Sequence, residues 1–517
     1  MNILYFKIAL LLLFSLRQIK NFLFWTYLWQ LKNYHIGRFL AHFSTYKGKK
    51  LIYNPLLKTI LLIGLFLNST ISLFLLILIY LIEFSDLFRK KIILPQKTSK
   101  TLFLSFLILF SFSLFLIFIF NFDLLTLTIS IILFDILTPL IVSLIILLFQ
   151  PITVILRNRI INKAIKKRKL FENLLVIGIT GSYGKSSTKE FLKTILSKEF
   201  NVIATEKNEN SEMGISRCIL NNLKEENEIF ICEMGAYNRG GIKLLSKIAL
   251  PKIGILTGIN NQHLATFGSQ ENIIKTKFEL IDSLPLEGLA VLNWDNQHIK
   301  DNFKSDISSI KYSAIEESDI YATEIMEDEE GISFKINSKK GESYSLKTKI
   351  KGIQNVSNLL ACVSVAKKLG MTFEEIGERI GTINNSKIKK VKNFDIIEST
   401  YSSNFNGIMA HLEEIKKWKG DKIIVMPCLI ELGSEAKNTH YEIGRKIGEI
   451  CDLAIITSKD YEKELKKGFN FSKKDNTLLF MENGIEIYKE VFSRSKNDSV
   501  ILLESRVPNS LIKKINE

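Results

Sequence analysis

Two hydrophobic patterns divide the chain. Over the first 150 residues apolar positions run on with few interruptions; beyond them they come in short runs broken by polar turns and helical spacing. Stretches 60–82 and 101–120 carry no charge, and 124–148 carries one, Asp135. About 20 apolar residues cross a hydrocarbon core as a helix, so three spans are predicted. Residues 1–16 make a weaker fourth candidate, interrupted by Lys7. Residues 22–31, with Trp25, Tyr27 and Trp29, read as an interfacial aromatic segment. No small-residue cleavage site follows, so a signal peptide is not expected.

After a basic linker, 151–170, the pattern changes. Apolar runs at 174–179, 201–204, 228–232, 252–259 and 288–292 read as strands separated by helical patterns. Several end in polar residues: Glu233, then Asn260-Asn261-Gln262-His263, then Asn293-Trp294-Asp295. This is the order of an open parallel α/β sheet, which binds ligands at the carboxyl ends of its strands. Stretches 321–325, 331–337 and 343–350 alternate and read as a small antiparallel excursion. From 388 a second α/β unit begins, with runs at 394–397, 422–426, 452–457, 477–481 and 499–503. The predicted domains are a membrane domain (1–150), a central domain (171–387) and a Rossmann-like C-terminal domain (388–517).

Charge sharpens this picture. The 517 residues carry 69 Lys+Arg against 53 Asp+Glu, a formal net charge of +16. Such a balance fits nucleic acid or an anionic membrane surface. The apolar first third decides for the membrane, and no nucleic-acid partner is expected. Basic residues flank the spans at 87–100 and 151–169, whereas the turn at 121–123 holds only Asp123. Both flanks are therefore assigned to the cytoplasm, and the soluble portion with them. Segment 17–50 is also basic, which conflicts with a single crossing at 60–82. Asp135, an ionisable group in mid-span, is a functional candidate; a helix-packing contact or oligomer seam is the preferred reading, since no second buried charge is evident to pair with it. The five cysteines lack any Cys-x-x-Cys pair, which points to reduced core residues.

The chemistry concentrates at Thr180-Gly181-Ser182-Tyr183-Gly184-Lys185-Ser186-Ser187-Thr188. A strand runs into a glycine-rich turn and leaves as a helix, which aims backbone N–H groups at one spot and suits a phosphate. Lys185 adds a mobile positive charge, and Ser186 a hydroxyl for a metal ion on a nucleotide triphosphate. The glycines stand two residues closer than in the common Gly-x-x-x-x-Gly-Lys-Ser loop. Ser186, Glu233 and His263 are candidate Mg²⁺ ligands, although histidine is not a preferred one.

These motifs resemble the Mur ligases, ATP-dependent amide-forming enzymes of cell-wall peptide assembly. The resemblance covers Thr180–Thr188; Thr205, Asn208, Asn210 and Gly214; Glu233-Met234-Gly235-Ala236; then Asn260, His263, Phe267-Gly268-Ser269 and Lys277-Phe278-Glu279. It continues, with variation, in Gln354-Asn355-Val356-Ser357-Asn358 and in Glu398–Asn404, and closely in Glu431-Leu432-Gly433 with His440 and Gly444. It implies catalytic roles for Lys185, Lys277 and His263, with Lys277 a candidate for carbamylation. Thr180, Gly181, Ser182, Gly184, Lys185, Ser186, Ser187, Asn293, Asp295, Asn355 and Asn358 would bind ATP. Ser186 and Glu233 would hold one Mg²⁺, and His263 would bind a second cation. Asn208, Asn210, Ser211, Tyr401, Asn404, Glu431 and His440 would meet substrate.

Departures are visible. Ser399 replaces an aspartate, Gln354 a histidine, and Lys389 and Lys390 a Gly-Arg pair. An apolar segment stands where the family has a soluble nucleotide-sugar-binding domain. The expected protein is a multi-pass ligase of the cytoplasmic membrane with its catalytic domains in the cytoplasm. It would join an amino acid or dipeptide to a cell-wall precursor, with a lipid-linked precursor as one option. A membrane scaffold that has lost turnover and a transport ATPase are the rival readings.

Overall fold

The structure, a computed structural model, describes residues 2–43, 45–88, 93–206, 209–260, 264–328, 330–383, 388–391, 394–399, 404–430, 432–472, 475–494 and 498–517. The chain forms two compact units, Met1–Asn158 and Arg159–Glu517.

The first unit is helical: α1 (Asn2–Leu31), α2 (Ile36–His42), α3 (Tyr46–Leu67), α4 (Ser69–Phe88), α5 (Ser99–Ile119) and α6 (Leu124–Leu148). Phe14, Phe22, Phe112 and Phe134 pack in one aromatic cluster at its core. Among the described residues three helices, α3, α5 and α6, are long and apolar enough to cross a membrane by length and composition.

The predicted single span 60–82 is corrected to two helices. Asn68 leaves the helix (φ −152°, ψ 99°), and its carboxamide oxygen accepts from the Ile71 N–H. An asparagine inside an apolar run thus caps the next helix rather than extending the previous one. The segment 22–31 is likewise corrected, because it continues α1 and buries Trp25 and Trp29. Asp135 is far from alone, since Arg17 and Lys58 both reach its Oδ2, at 2.7 and 2.9 Å. The basic segment expected as a linker is a helix, α7 (Gln150–Lys169).

The second unit holds two sheets. The first comprises β1 (Leu175–Thr180), β2 (Val202–Ala204), β3 (Ile229–Glu233), β4 (Ile253–Leu256), β5 (Leu289–Asn293), β6 (Ser308–Ser313), β7 (Ile320–Glu327), β8 (Ile332–Ser338) and β9 (Ser343–Thr348). Their order is β2-β3-β1-β4-β5-β6-β7-β8-β9, parallel up to β7 and antiparallel beyond it. The alternating stretches therefore extend the main sheet, and β6 joins them to it.

Every residue of β3, β4 and β5 is buried, as expected of parallel strands covered on both faces. The P-loop helix α8 (Lys185–Leu196) buries Phe191, Leu192 and Ile195 on one face of the sheet, together with the helix Gln354–Lys368. The second sheet comprises β10 (Ile388–Val391), β11 (Phe394–Ser399), β12 (Lys422–Met426), β13 (Leu453–Ile456), β14 (Thr477–Phe480) and β15 (Val500–Glu504). Its order is β10-β11-β15-β12-β13-β14, with only β10 antiparallel. All five cysteines are buried thiols.

Candidate active site

The site grows from the turn between β1 and α8. Gly181 and Gly184 take φ of 153° and 77°, a region that side chains with a Cβ adopt only under strain. A Cβ on Gly181 would lie 2.1 Å from Thr257 Oγ1, and one on Gly184 would lie 2.4 Å from Asn358 Oδ1. The loop is clasped by the strand-end residues Thr257 and Gly258. Thr257 Oγ1 donates toward the Tyr183 and Thr180 carbonyls, and the Ser182 N–H donates to Gly258 O at 2.7 Å. Asn293, buried at the end of β5, donates to Thr257 O at 2.7 Å and so braces the clasp.

Lys185 and Ser186 open α8, with left-handed Gly184 before them and no side-chain cap. The helix thus presents free N–H groups and a positive dipole end to the turn. The Lys185 ammonium folds back onto Gly181 O at 2.7 Å. Burial lowers its pKa from the ordinary lysine value, and Glu233 opposes the shift.

Ser186 Oγ donates to Glu233 Oε2 at 2.9 Å, and Asn210 Nδ2 donates to Glu233 Oε1 at the same distance. Glu233 ends β3, and its N–H donates to Thr205 Oγ1. Lys277 lies in the helix Gln270–Asp282 and is 4% exposed. Burial first, then the Lys185 charge, push its pKa down to about 7, with Glu279 acting in opposition. Near neutral pH it is shared between amine and ammonium.

A cavity of about 400 Å³ opens beside the turn. Gly184, Ser187, Asn293, Asp295, Asn355 and Asn358 line it from the first sheet domain, and Asn404 and His411 from the second. Asp295 is held by Ser313 and by the Ala314 N–H; Asn358 donates to Asn355 Oδ1 at 3.0 Å.

The other expected residues divide. Thr180 and Ser182 are buried in the frame of the loop. Ser211 caps the helix Glu212–Asn222, and Asn404 caps Phe405–Ile415. His440 is fully buried: it accepts from the Leu429 N–H at Nε2, bonds Ala436 O through Nδ1 and stacks on Tyr461. In this structure it holds the Leu429 loop and does not face open space. His263, Asn208, Tyr401 and Glu431 lie outside the described residues.

Among the described residues no three His, Cys, Asp or Glu side chains gather around a metal position. A magnesium ion does not need such a cage, since it keeps several waters and takes one or two protein oxygens plus phosphates. The hydroxyl of Ser186 against the carboxylate of Glu233 fits that demand.

Three contributors escaped sequence reasoning. Lys189 is fully buried, donates to Thr205 O at 2.8 Å and stands 3.6 Å from Glu233 Oε2. It is one helical turn beyond Lys185, a spacing that shares a face and would have exposed it. Thr257 lay inside an apolar run and gave no signal. His411 pairs with the buried Glu504 at 2.7 Å across 93 residues of sequence, beyond any local pattern.

Comparison with known proteins completes the picture. The Mur ligase middle domain family matches residues 179–366. A UDP-N-acetylmuramoyl-tripeptide--D-alanyl-D-alanine ligase from Buchnera aphidicola is 30% identical over 323 residues, 60% of this chain and 70% of the relative. The chain belongs to the Mur ligase family. It is thus an ATP-dependent, ADP-forming ligase.

A further relative of the same name, from Bacillus subtilis, is 28% identical over 339 residues, 64% of this chain and 73% of that one. Among solved Mur ligases, MurF from Thermotoga maritima in complex with ADP superposes with a TM-score of 0.62 at 24% identity. It covers 70% of this chain and 84% of its own. MurF from Acinetobacter baumannii gives 0.61 at 24% identity, covering 70% and 79%. At that identity the two structures establish the shared fold.

Proposed function

We propose that this Mur ligase is anchored in the cytoplasmic membrane and adds D-alanyl-D-alanine to a muramoyl tripeptide through an acyl-phosphate intermediate. The observation that carries the reading is the convergence of Lys185, Ser186, Glu233 and buried Lys277 at the carboxyl edge of the parallel strands of the first sheet. The relatives' names supply the substrate class, a UDP-linked tripeptide and the D-Ala-D-Ala dipeptide. The three long apolar helices support the anchoring.

The peptide carboxylate attacks the γ-phosphorus of ATP, ADP leaves, and an acyl phosphate forms. The dipeptide amine then attacks the acyl carbon, phosphate leaves with the bonding pair, and an amide remains. Lys185 and the N–H groups of the turn offset charge on the phosphates as it shifts. Ser186 and Glu233 would hold a magnesium ion, which would supply positive charge against that of the phosphates. Carbamylation of Lys277 requires its neutral amine, which its lowered pKa makes available near neutral pH. Asn293, Asp295, Asn355 and Asn358 line the space for the nucleoside. Asn210, Ser211 and Asn404 remain proposed substrate contacts together with Asn208, Tyr401 and Glu431, and His263 remains a proposed catalytic and metal-binding residue; the fully buried His440 is not kept among the substrate contacts.

A second reading concerns the acceptor's carrier. Membrane helices precede the ATP-binding domain, which favours an acceptor carried on a lipid. Detergent-purified full-length protein should release ADP and form an amide with ATP, Mg²⁺, D-Ala-D-Ala and a muramoyl tripeptide. Running UDP-linked and lipid-linked tripeptides side by side identifies the carrier. ATP binding without product from either would contradict turnover and support a scaffold.

A further inference from the structure

The first unit contains more charge than a membrane segment tolerates without compensation, and the charge is gathered in one place. Arg17 Nε donates to Asp135 Oδ2 at 2.7 Å, and Lys58 Nζ lies 2.9 Å from the same oxygen. Gln18 and Asn21 donate to Asp135 Oδ1 at 2.9 and 3.2 Å. Arg17 also pairs with Glu83, and the Tyr80 hydroxyl stands 3.5 Å from Asp135. The four charged groups come from α1, α3, α4 and α6. Arg17, Lys58 and Asp135 are at most 5% exposed. A buried charge in hydrocarbon persists when it is paired and hydrogen-bonded.

The contacts also fix helix direction. Lys7, Arg17 and Trp29 of α1 meet Phe122, Asp135 and Ser143 in that order, so α1 and α6 run parallel. Phe14 and Arg17 meet Tyr80 and Glu83, so α1 and α4 run parallel too. The turns at Asn68 and at 120–123 therefore lie at one end, with the start of α1. At about 1.5 Å per residue, the charged groups sit roughly 15–22 Å from that end, near mid-depth of a bilayer core.

The opposite end joins the close of α1 to residues 96–100 and 150–153. Gln30 bonds Gln96 in both directions, Lys100 lies over the Tyr34 ring, and Gln150 donates to Tyr34 O. Lys32, Arg38, Lys47, Lys49, Lys50 and Lys97 belong to this end, whereas Lys7 is the lone cation at the other among the described residues. Phe66, Phe74, Phe106, Ile117 and Leu144 stay exposed on the outside of the bundle.

We infer that α1, α3, α4, α5 and α6 form a five-crossing bundle whose outer face contacts lipid acyl chains. The N-terminus lies across the bilayer from residue 149, and the Arg17–Lys58–Glu83–Asp135 cluster admits the charged helices. This rests on the membrane anchoring proposed above and goes beyond the three apolar spans. It also removes the charge conflict, because the break at Asn68 returns both basic flanks of the α3–α4 hairpin to one side.

The test uses full-length protein in intact cells. Single cysteines replace Asn68, Asn121, Thr45 or Thr98, and an epitope is placed at the N-terminus. An impermeant maleimide should label Asn68→Cys and Asn121→Cys from outside, and Thr45→Cys and Thr98→Cys only after lysis; the epitope should be accessible from outside. Protection of Asn68→Cys or of the epitope in intact cells would overturn the topology. Release of the protein by alkaline carbonate would instead overturn the anchoring itself.

Asp135→Leu, which strands Lys58 and leaves Arg17 with Glu83 alone, should cut outside exposure of the epitope at least threefold. Asp135→Asn, which keeps an oxygen and an amide for hydrogen bonds, should cut it less. Equal exposure in all three proteins would overturn the role given to the cluster.

Discussion

Lys277 is buried, and the charge of the half-buried Lys185 adds to the burial that lowers its pKa; Glu279 opposes the shift at Lys277 and Glu233 the shift at Lys185. Nucleotide phosphates would relieve both. Lys185→Ala should therefore lower kcat by at least about 100-fold while the protein keeps its fold, checked by ADP release and circular dichroism. Lys277 also links pH to stability. Its folded pKa of about 7 lies below the unfolded lysine value of 10.5, so the unfolded chain binds more protons between those limits. Stability of the nucleotide-free protein should rise with pH across that window, by up to about 1.4 kcal/mol per pH unit from this one group. Lys277→Met should flatten the rise in urea titrations, and an unchanged slope would contradict the assignment. Lys185, Ser186 and Glu233 were legible in the sequence because glycine spacing and strand ends are local signals. Lys189 and His411 were not, because their roles come from burial and from partners distant in the chain.

The turn from β1 to α8 shows how an element carries the site. Its shape depends on two left-handed glycines and on the hydroxyl of Thr257 behind them. Gly184→Ala should raise KM for ATP at least about 10-fold, since the added Cβ meets Asn358 and the backbone resists by about 1–2 kcal/mol. The histidine-capped loop of the second sheet domain behaves differently. His440→Ala strands the Leu429 N–H in a buried setting, which costs about 1–3 kcal/mol and should appear as a lower melting temperature. The strands of both sheets could be read from short apolar runs. Two strands could not: the interior strand β6 is mostly polar, and the edge strand β10 carries two lysines in four residues. The break at Asn68 was hidden for a related reason, because one polar residue in an apolar run looks like a tolerated exception until its capping bond is seen.

Across the whole catalytic unit, the cavity is complete only with both sheet domains in place. Lys417 of the second domain pairs with Glu327 of the first at 2.5 Å, and Glu327 also accepts from the Gly352 N–H just before Asn355. Glu327→Gln should therefore weaken closure over the nucleotide and raise KM for ATP severalfold with little change in melting temperature, as measured by steady-state kinetics and calorimetry. The α/β alternation announced two domains, but not this latch, whose partners are 90 positions apart in the chain. The central claim is amide formation through an acyl phosphate, and oxygen transfer tests it most directly. With both carboxylate oxygens of the acceptor tripeptide labelled with ¹⁸O, each amide formed should send one labelled oxygen into inorganic phosphate. Amide formation with unlabelled phosphate would contradict the account.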